Sequence, residues 1–364
     1  MFDRRLVTHF DWVLLGLIVT VAGLGILNLT SVTADWSGAT AIYLKQLTWF
    51  GLGLAIALTL CLFDYRHLEY SAFAGYGVTL LLLLAVMVFA KTTMGATRWL
   101  SLGPMNLQPS EIAKPVIIIT LARYFAEHGH FGGLNLKELL IPLALVIIPV
   151  AFIIEQPDLG TAIMILLIGA TMILFAGIKL RTFATLSSAV IAVAWSGWSF
   201  LHDYQRQRVF TFLNPEADPR GSGYHIIQSK IAIGSGSLTG KGFMKGTQSQ
   251  LAFLPERHTD FAFSVFAEEW GFVGTAVLII LYLLIIIWGI YIARRASDRF
   301  GMYLAVGITA MLFWHIIVNL GMVTGLLPVV GVPLPLFSYG GTSMVTTMIG
   351  VGLLLNISMR RFMF

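Results

Sequence analysis

The chain has 364 residues, of which 57% are hydrophobic and only 11% are charged, and its mean hydropathy is +0.84. A soluble domain carries roughly a quarter charged residues, so this composition indicates a protein most of whose surface faces lipid. The net charge is +5, but the basic residues are spread between apolar segments, which argues against a nucleic-acid partner and fits orientation in a bilayer. A single cysteine, Cys61, excludes an intrachain disulfide and a multi-cysteine metal site.

Apolar segments long enough to cross about 30 Å of hydrocarbon recur along the chain. Ten are found, at 12–30, 45–63, 71–90, 109–126, 139–154, 159–177, 182–201, 262–293, 301–322 and 342–358. They predict an all-α polytopic membrane protein with about ten transmembrane helices, organised as one domain over residues 1–364. The fifth and sixth segments are separated only by Gln156-Pro157-Asp158, so a kinked or re-entrant element is an alternative there.

The distribution of basic residues predicts the orientation of these helices. With the N-terminus in the cytoplasm, the short inner connections hold most of the Lys and Arg outside the long loop, as the positive-inside rule requires. Both termini are then cytoplasmic. The long polar loop 202–261, between helices 7 and 8, is extracytoplasmic.

One stretch of that loop combines ionisable groups with the start of a membrane helix. Glu256, Arg257, His258 and Asp260 directly precede the apolar run that begins at Phe261. A carboxylate at such a boundary is partly desolvated, and its pKa can be tuned for chemistry. We therefore predict Asp260 as a catalytic candidate. His258 has no partner at ligand spacing, which argues against zinc.

Two other polar segments lie on the same predicted side. Glu111 and Lys114 are three residues apart at a helix start, so they form either a structural ion pair or the wall of a cavity for a charged headgroup. Arg98, beside the interfacial Trp99, can clamp a phosphate bidentately. Asp158 is either a plain helix N-cap or a second carboxylate or metal ligand of the same site.

The loop also carries glycines that resemble a phosphate-binding loop. Their spacing over 234–242 does not match the nucleotide-binding pattern and no strand precedes them, so we do not assign a P-loop. The segment 224–233 has helical spacing, with Ile226, Ile227 and Ile231 on one predicted apolar side. Glu268 and Glu269 should face the interior of the bundle, because carboxylates in lipid are unfavourable.

The chain resembles the SEDS family of bacterial cell-wall polymerases. The residues that carry the resemblance are Gln108 to Lys114, Gln156 to Gly160, and above all Lys245-Gly-Thr-Gln-Ser-Gln-Leu-Ala-Phe-Leu-Pro-Glu-Arg-His-Thr-Asp-Phe261. Asn214-Pro215, Ser338-Tyr339-Gly340-Gly341 and Arg360-Arg361 extend it over essentially the whole chain. The form of the long motif is closer to the RodA, or elongation, branch than to the FtsW, or division, branch.

The resemblance implies a ten-helix glycosyltransferase that links the disaccharides of lipid II into peptidoglycan at the outer face of the bacterial cytoplasmic membrane. It implies that Asp260 activates the acceptor and that Glu111, Lys114 and Asp158 line its cavity. The predicted substrate-binding residues are Arg98, Glu111, Lys114, Asp158, Gln248, His258, Thr259 and Ser338. The implied partners are a class B penicillin-binding protein, which is a transpeptidase, and the membrane proteins of the elongation complex.

A single base is enough for this chemistry. A polyprenyl diphosphate is already a good leaving group, so general acid catalysis is dispensable and the reaction needs a base and positive charge near the diphosphate. Asp260 is the expected base, and the anomeric carbon is expected to invert. Arg98, Lys114 or a divalent cation (Mg²⁺ or Mn²⁺) on Asp158 or Glu111 can supply the charge, and no organic cofactor is expected.

Two rival functions remain open from the sequence. A transporter or flippase for a lipid-linked precursor also needs intramembrane charges and broken helices, and composition alone favours it. A non-catalytic scaffold for a penicillin-binding protein would use the Asp260 region as an interaction loop.

Overall fold

The computed structural model describes residues 9–33, 40–89, 99–102, 105–129, 133–197, 206, 210–217, 222–250, 253–254 and 256–361. Within these residues the chain is almost entirely helical. The helices in chain order are α1 (Trp12–Val32), α2 (Thr40–Leu62), α3 (His67–Phe89), α4 (Pro109–His128), α5 (Leu136–Glu155), α6 (Leu159–Ala176), α7 (Leu180–Gly197), α8 (Ser222–Ser235), α9 (Thr247–Gln250), α10 (Ala262–Arg294), α11 (Arg299–Thr324) and α12 (Gly341–Arg360).

The long helices correspond to the apolar segments of the sequence. Each of the ten predicted segments overlaps one helix of at least 18 residues, and eight of these helices are long and apolar enough to cross a membrane. The other two are α4, which carries several charged residues, and α7, which mixes Ser and Thr with apolar residues. The predicted polytopic helical fold is confirmed, and the number of crossings stays a prediction.

The helices divide into an interior pair and a lipid-facing periphery. In the most apolar window of α11 and α12, 72% and 83% of the residues are buried, against 22% in α2 and in α3. The close contact of α12 with α2 depends on small residues, since a Cβ at Gly352 would lie 2.7 Å from the Cα of Ala57. Small residues let helix backbones approach in lipid, where burial of apolar surface gives no driving force.

Short elements complete the end of the bundle at which α4 and α10 begin. Strands β1 (Leu100–Leu102) and β2 (Met105–Leu107) form an antiparallel hairpin directly before α4. Helix α8 packs against α10 and α11, and its Ser229 Oγ donates to the carbonyl of Val323 at 2.5 Å. Its buried face runs through Ile226, Ser229 and Ala232, whereas Ile231 is 45% exposed. The helix predicted for this segment is present, and whether its exposed Ile231 meets the membrane interface stays a prediction.

A break in α10 explains the glycine-rich segment. At Gly271 the backbone leaves helical geometry, with φ 63° and ψ −161°. Residues 237–242 supply the missing partners: the amides of Lys241 and Gly242 donate to the carbonyls of Glu268 and Glu269, each at 3.0 Å. In return the amides of Phe272 and Val273 donate to the carbonyls of Ser237 and Leu238, at 2.9 and 3.1 Å. The glycines serve the close approach of two backbones, because a Cβ at Gly240 would lie 2.1 Å from the carbonyl oxygen of Glu269.

The two glutamates of α10 hold the same segment through their side chains. Glu268 is fully buried and accepts from Lys241 Nζ at 2.6 Å and from Thr247 Oγ1 at 2.9 Å. Glu269 accepts from Ser31 Oγ of α1. Both therefore face the bundle, as the sequence predicted.

Candidate active site

A polar cavity of about 670 Å³ opens at the end of the bundle where α2, α4, α6, α10 and α12 begin. Its volume lies within the range of about 300–1,000 Å³ that is usual for small-molecule sites. The residues that line it are Lys45, Thr48, Trp49, Trp99, Gln108, Glu111, Asp158, Thr161, Thr259, Asp260, Gly331, Pro333, Tyr339, Gly340, Gly341, Thr342 and Ser343. Three carboxylates thus share one cavity although they are distant in sequence.

Asp260 lies in the turn that leads into α10 and is half-buried. The buried amide of Asn319 in α11 holds this turn, since its Nδ2 donates to the carbonyl of Asp260 at 3.0 Å and to that of Val332 at 2.8 Å. Gly331 lies opposite the side chain, and a Cβ there would be 3.4 Å from Asp260 Oδ2. One side-chain amide therefore fixes the backbone of the acid and of the facing loop together.

Asp158 caps α6 and at the same time lines the cavity. Its Oδ1 accepts from the amide of Thr161 at 3.4 Å, which is the N-cap interaction predicted for it. Its Oδ2 accepts from Gln108 Nε2, Ser110 Oγ and Thr161 Oγ1, each at 2.9 Å. Asp158 consequently joins the start of α4 to the start of α6.

Glu111 and Lys114 form the ion pair that their spacing predicts, at 2.7 Å, and both side chains are buried. Lys114 Nζ also lies 2.9 Å from Nε2 of His315 in α11. Glu111 lines the cavity, whereas Lys114 lies behind it and is not among the lining residues. The pair therefore combines the two predicted roles: Lys114 is structural, and Glu111 faces the cavity.

The wall opposite α4 is the segment between α11 and α12. The fully buried Gln46 donates through Nε2 to the carbonyl of Ser338 at 3.0 Å and accepts from the amide of Gly340 at 3.3 Å. The amide of Tyr339 donates to the carbonyl of His258 at 2.9 Å. These bonds place the 339–343 residues beside the turn that carries Asp260.

The predicted substrate-binding residues do not all reach the cavity. Glu111, Asp158 and Thr259 line it together with Asp260. Ser338 is buried and accepts from the amide of Leu334 at 3.1 Å, and its role in the structure is to hold the wall.

Of the remaining predicted residues, Gln248 and His258 do not line the cavity, and Arg98 lies outside the described part of the chain. Gln248 uses its backbone amide to bind Glu268 at 3.2 Å, and His258 lies behind Tyr339, with 6.0 Å between the ring centroids. Burial lowers the pKa of His258, Arg257 acts in the same direction and Glu256 opposes it, so the ring is neutral at pH 7.

Sequence reasoning missed several residues that the fold brings to the site. Lys45 is exposed and is the only cationic side chain among the lining residues that the structure describes. Trp49, Trp99 and Tyr339 add aromatic surface to the cavity. The position of Lys45 one turn into α2, on the side predicted to be extracytoplasmic and poor in cations, was the signal that could have identified it.

The carboxylate oxygens of this site are not arranged to bind a divalent metal ion on Asp158. Its Oδ2 already accepts three hydrogen bonds, and a cation would have to displace them. Glu111 has one oxygen engaged by Lys114, whose ammonium group would repel a cation. Among the described residues no group of three His, Cys, Asp or Glu side chains is placed to hold a metal.

Comparison with known proteins gives a consistent result. The family model described as "Cell cycle protein", whose name joins FtsW, RodA and SpoVE, matches residues 5–362. The peptidoglycan glycosyltransferase MrdB of Escherichia coli (strain K12) is 46% identical over 320 residues, which cover 88% of this chain and 86% of that protein. The peptidoglycan glycosyltransferase RodA of Treponema pallidum (strain Nichols) is 33% identical over 434 residues, covering 98% and 99% of the two chains.

Solved structures share the fold over nearly the whole length. A chain from a peptidoglycan synthase complex, described for the coordination of polymerization and crosslinking, superposes with a TM-score of 0.84 at 32% identity and covers 98% of this chain and 99% of its own. The rod shape determining protein RodA of Thermus thermophilus has a TM-score of 0.73 at 30% identity, with 97% and 98% of the chains covered.

The fold and the cavity define a polytopic helical membrane protein with an acidic site at one end of its bundle. Within that class, the chain belongs to the family of FtsW, RodA and SpoVE. The resemblance to the SEDS family and to its RodA branch is thereby confirmed.

Proposed function

We propose that the protein is a peptidoglycan glycosyltransferase that polymerises lipid II, with Asp260 as the general base. The observation that carries this proposal is the single cavity in which Asp260 meets Glu111, Asp158 and the cation Lys45. It occurs in a chain whose relatives MrdB and RodA are named peptidoglycan glycosyltransferases.

The reaction needs little from the protein beyond a base and a positive charge. Asp260 takes the proton of the acceptor hydroxyl as that oxygen attacks the anomeric carbon from the side opposite the diphosphate. The bond to the diphosphate oxygen breaks, the polyprenyl diphosphate leaves with the electron pair, and an α-linked donor becomes a β-linked product. Because the leaving group is a stable anion, no acid is required to protonate it.

Lys45 is the residue to which we assign the stabilisation of the departing diphosphate. It lines the cavity and is exposed, so its ammonium group can reach an anion there. Lys114 is less suited to this task, since its ammonium group is buried between Glu111 and His315. No step in this scheme uses a divalent cation.

The position of the cavity at one end of the bundle favours a polymerase over a transporter. All of its lining residues come from one end of the helices or from the connections at that end. A transporter must expose its site alternately to both sides, and such sites lie near the middle of the membrane.

The location and partners follow from the same assignment. The protein would lie in the bacterial cytoplasmic membrane with both termini inside, the cavity on the outer face, and lipid II as both donor and growing chain. A class B penicillin-binding protein is the proposed partner, supported by the structural neighbour from a peptidoglycan synthase complex. We assign the protein to cell elongation, together with the membrane proteins of that machinery.

The decisive experiment is polymerisation of lipid II by the purified protein, with and without the transpeptidase partner, followed on a gel. Asp260→Asn keeps the size of the side chain and removes the base, and we expect it to lower the rate by about a hundredfold or more. Glu216→Gln, an exposed acid in the same 202–261 loop, is the matched control and should polymerise at the normal rate.

Either of two results would overturn the proposal. One is Asp260→Asn protein that makes glycan as fast as the unchanged chain. The other is purified wild-type protein that moves lipid II across vesicles but makes no polymer in detergent, which would favour a flippase.

A further inference from the structure

A histidine that lies outside the cavity is bonded to a residue that lines it. His315 in α11 is 5% exposed, and its Nε2 lies 2.9 Å from Nζ of Lys114 in α4. Lys114 in turn donates to Glu111 Oε1 at 2.7 Å. The three side chains form one buried chain from the interior helix to the cavity.

The hydrogen bonds determine which nitrogen of His315 carries the proton. Its Nδ1 lies 2.7 Å from the carbonyl of Met311, an acceptor, so Nδ1 must be the donor. Lysine has donors only, so Nε2 must accept from Lys114. A neutral ring with its proton on Nδ1 is the only state that satisfies both contacts.

This arrangement leaves one oxygen of Glu111 unused. Oε1 is bound to Lys114, while Oε2 is buried and has no hydrogen-bond partner among the described residues. A buried carboxylate oxygen without a donor is unfavourable unless a ligand supplies one. Glu111 is one of the residues that line the cavity, and the donor that we assign to Oε2 is a hydroxyl or amide N–H of a bound sugar.

The ammonium group of Lys114 competes for that oxygen. It is 2% exposed, so it must find its acceptors within the protein, and His315 provides the second one. Without His315, an acceptor that remains open is Oε2 of Glu111, on the carboxylate that Lys114 already contacts. Lys114 would then engage both oxygens and close the position to substrate.

We infer that His315 is a positioning residue that keeps Glu111 Oε2 available for a hydrogen-bond donor of the lipid-linked sugar. This inference rests on the proposed function, and it concerns substrate binding through Lys114 and Glu111. His315 takes no part in the bond-forming step.

The test compares His315→Leu with His315→Gln in the purified protein, using lipid II as the probe. His315→Leu removes the acceptor and should raise KM by about tenfold, the effect of losing a hydrogen bond to a charged group, with kcat little changed. Gln offers an amide oxygen near the position of Nε2, so His315→Gln should restore most of the affinity. A merely structural defect would reduce the amount of active protein, and therefore the apparent kcat, without moving KM.

Two further variants make the result specific. Thr309→Val removes another buried side-chain hydrogen bond of α11, the one to the carbonyl of Ala305 at 2.7 Å, and should leave KM unchanged. In a Glu111→Gln background, His315→Leu should have little additional effect, because the two residues act through the same oxygen.

The inference is overturned by an unchanged KM in His315→Leu, by equal defects in the Leu and Gln variants, or by additive effects of the His315 and Glu111 changes. Equilibrium binding of lipid II, measured in parallel, separates this outcome from failure of the proposed function. A wild-type protein that binds lipid II without polymerising it refutes the function, and loss of binding in His315→Leu would still support the positioning role.

Discussion

At the level of single residues, the cavity combines three acids with one described cation. Lys45 is exposed at its wall, and Glu111 and Asp158 are held by other side chains, so they are less free to move. A diphosphate entering such a site meets mostly negative charge. Lys45 should therefore have a large influence on whether the anion can leave through this cavity.

Lys45→Gln tests this assignment. We expect the rate of polymerisation to fall by about tenfold or more, since one electrostatic stabiliser of the leaving group is lost. Lys45→Arg should retain most of the activity, because it keeps the charge. The measurement is kcat with lipid II, and Lys137→Gln, an exposed lysine at the start of α5 and far from the cavity, serves as the control.

If Lys45→Gln polymerises at the wild-type rate, the leaving group must be stabilised elsewhere. Arg98, which lies outside the described residues, would then be the next residue to substitute.

The residues of the site differ in how well sequence could identify them. Asp260 and Asp158 were recognisable because each stands where a polar segment meets an apolar helix, and the Glu111–Lys114 pair because its spacing places both on one face. For Lys45 the only local signal is its position at the start of α2 on the predicted extracytoplasmic side, and His315 carries none. Both become relevant only through contacts between helices far apart in sequence, which no periodicity reveals.

At the level of elements, α10 is the helix whose geometry controls the position of Asp260. The part before Gly271 begins two residues after Asp260, and its direction is set by the inserted 237–242 segment. The helical register of 262–293 was predictable from its apolar run. The break was not, because it depends on four backbone hydrogen bonds with a segment that looks like a flexible glycine loop in the sequence.

Gly240→Ala probes this inserted segment. Gly240 has φ +79°, and a Cβ there would lie 2.1 Å from the carbonyl oxygen of Glu269, so the two backbones must separate. We expect a loss of stability of about 1–3 kcal/mol, seen as a lower melting temperature in detergent.

Gly234→Ala is the matched control for that change. Gly234 lies in α8, and a Cβ there would meet no atom within 4 Å, so alanine should be neutral or slightly stabilising. Equal melting temperatures for the two variants would show that the segment does not support the break in α10.

At the level of the whole molecule, the two ends of the bundle differ in charge. The end opposite the cavity carries most of the described basic residues, namely Arg66, Arg123, Lys137, Lys179, Arg181, Arg294, Arg295, Arg299, Arg360 and Arg361. Some of them form ion pairs at the same end, such as Arg66 with Asp298 at 3.6 Å. Because short cytoplasmic connections are enriched in Lys and Arg, this asymmetry predicts that the cavity faces outward.

Cysteine labelling can test the orientation directly, because the chain contains only Cys61, which is 4% exposed. Glu216→Cys places a thiol in the 202–261 loop, and Lys137→Cys places one at the opposite end of the bundle, both at exposed positions. A membrane-impermeant maleimide should label the Glu216 variant in intact spheroplasts and the Lys137 variant only after permeabilisation. The unchanged chain measures the background from Cys61. The reverse pattern would mean that the Asp260 cavity opens to the cytoplasm, from which glycan strands cannot be built on the outer face of the membrane. That result would refute the orientation and, with it, the polymerase assignment.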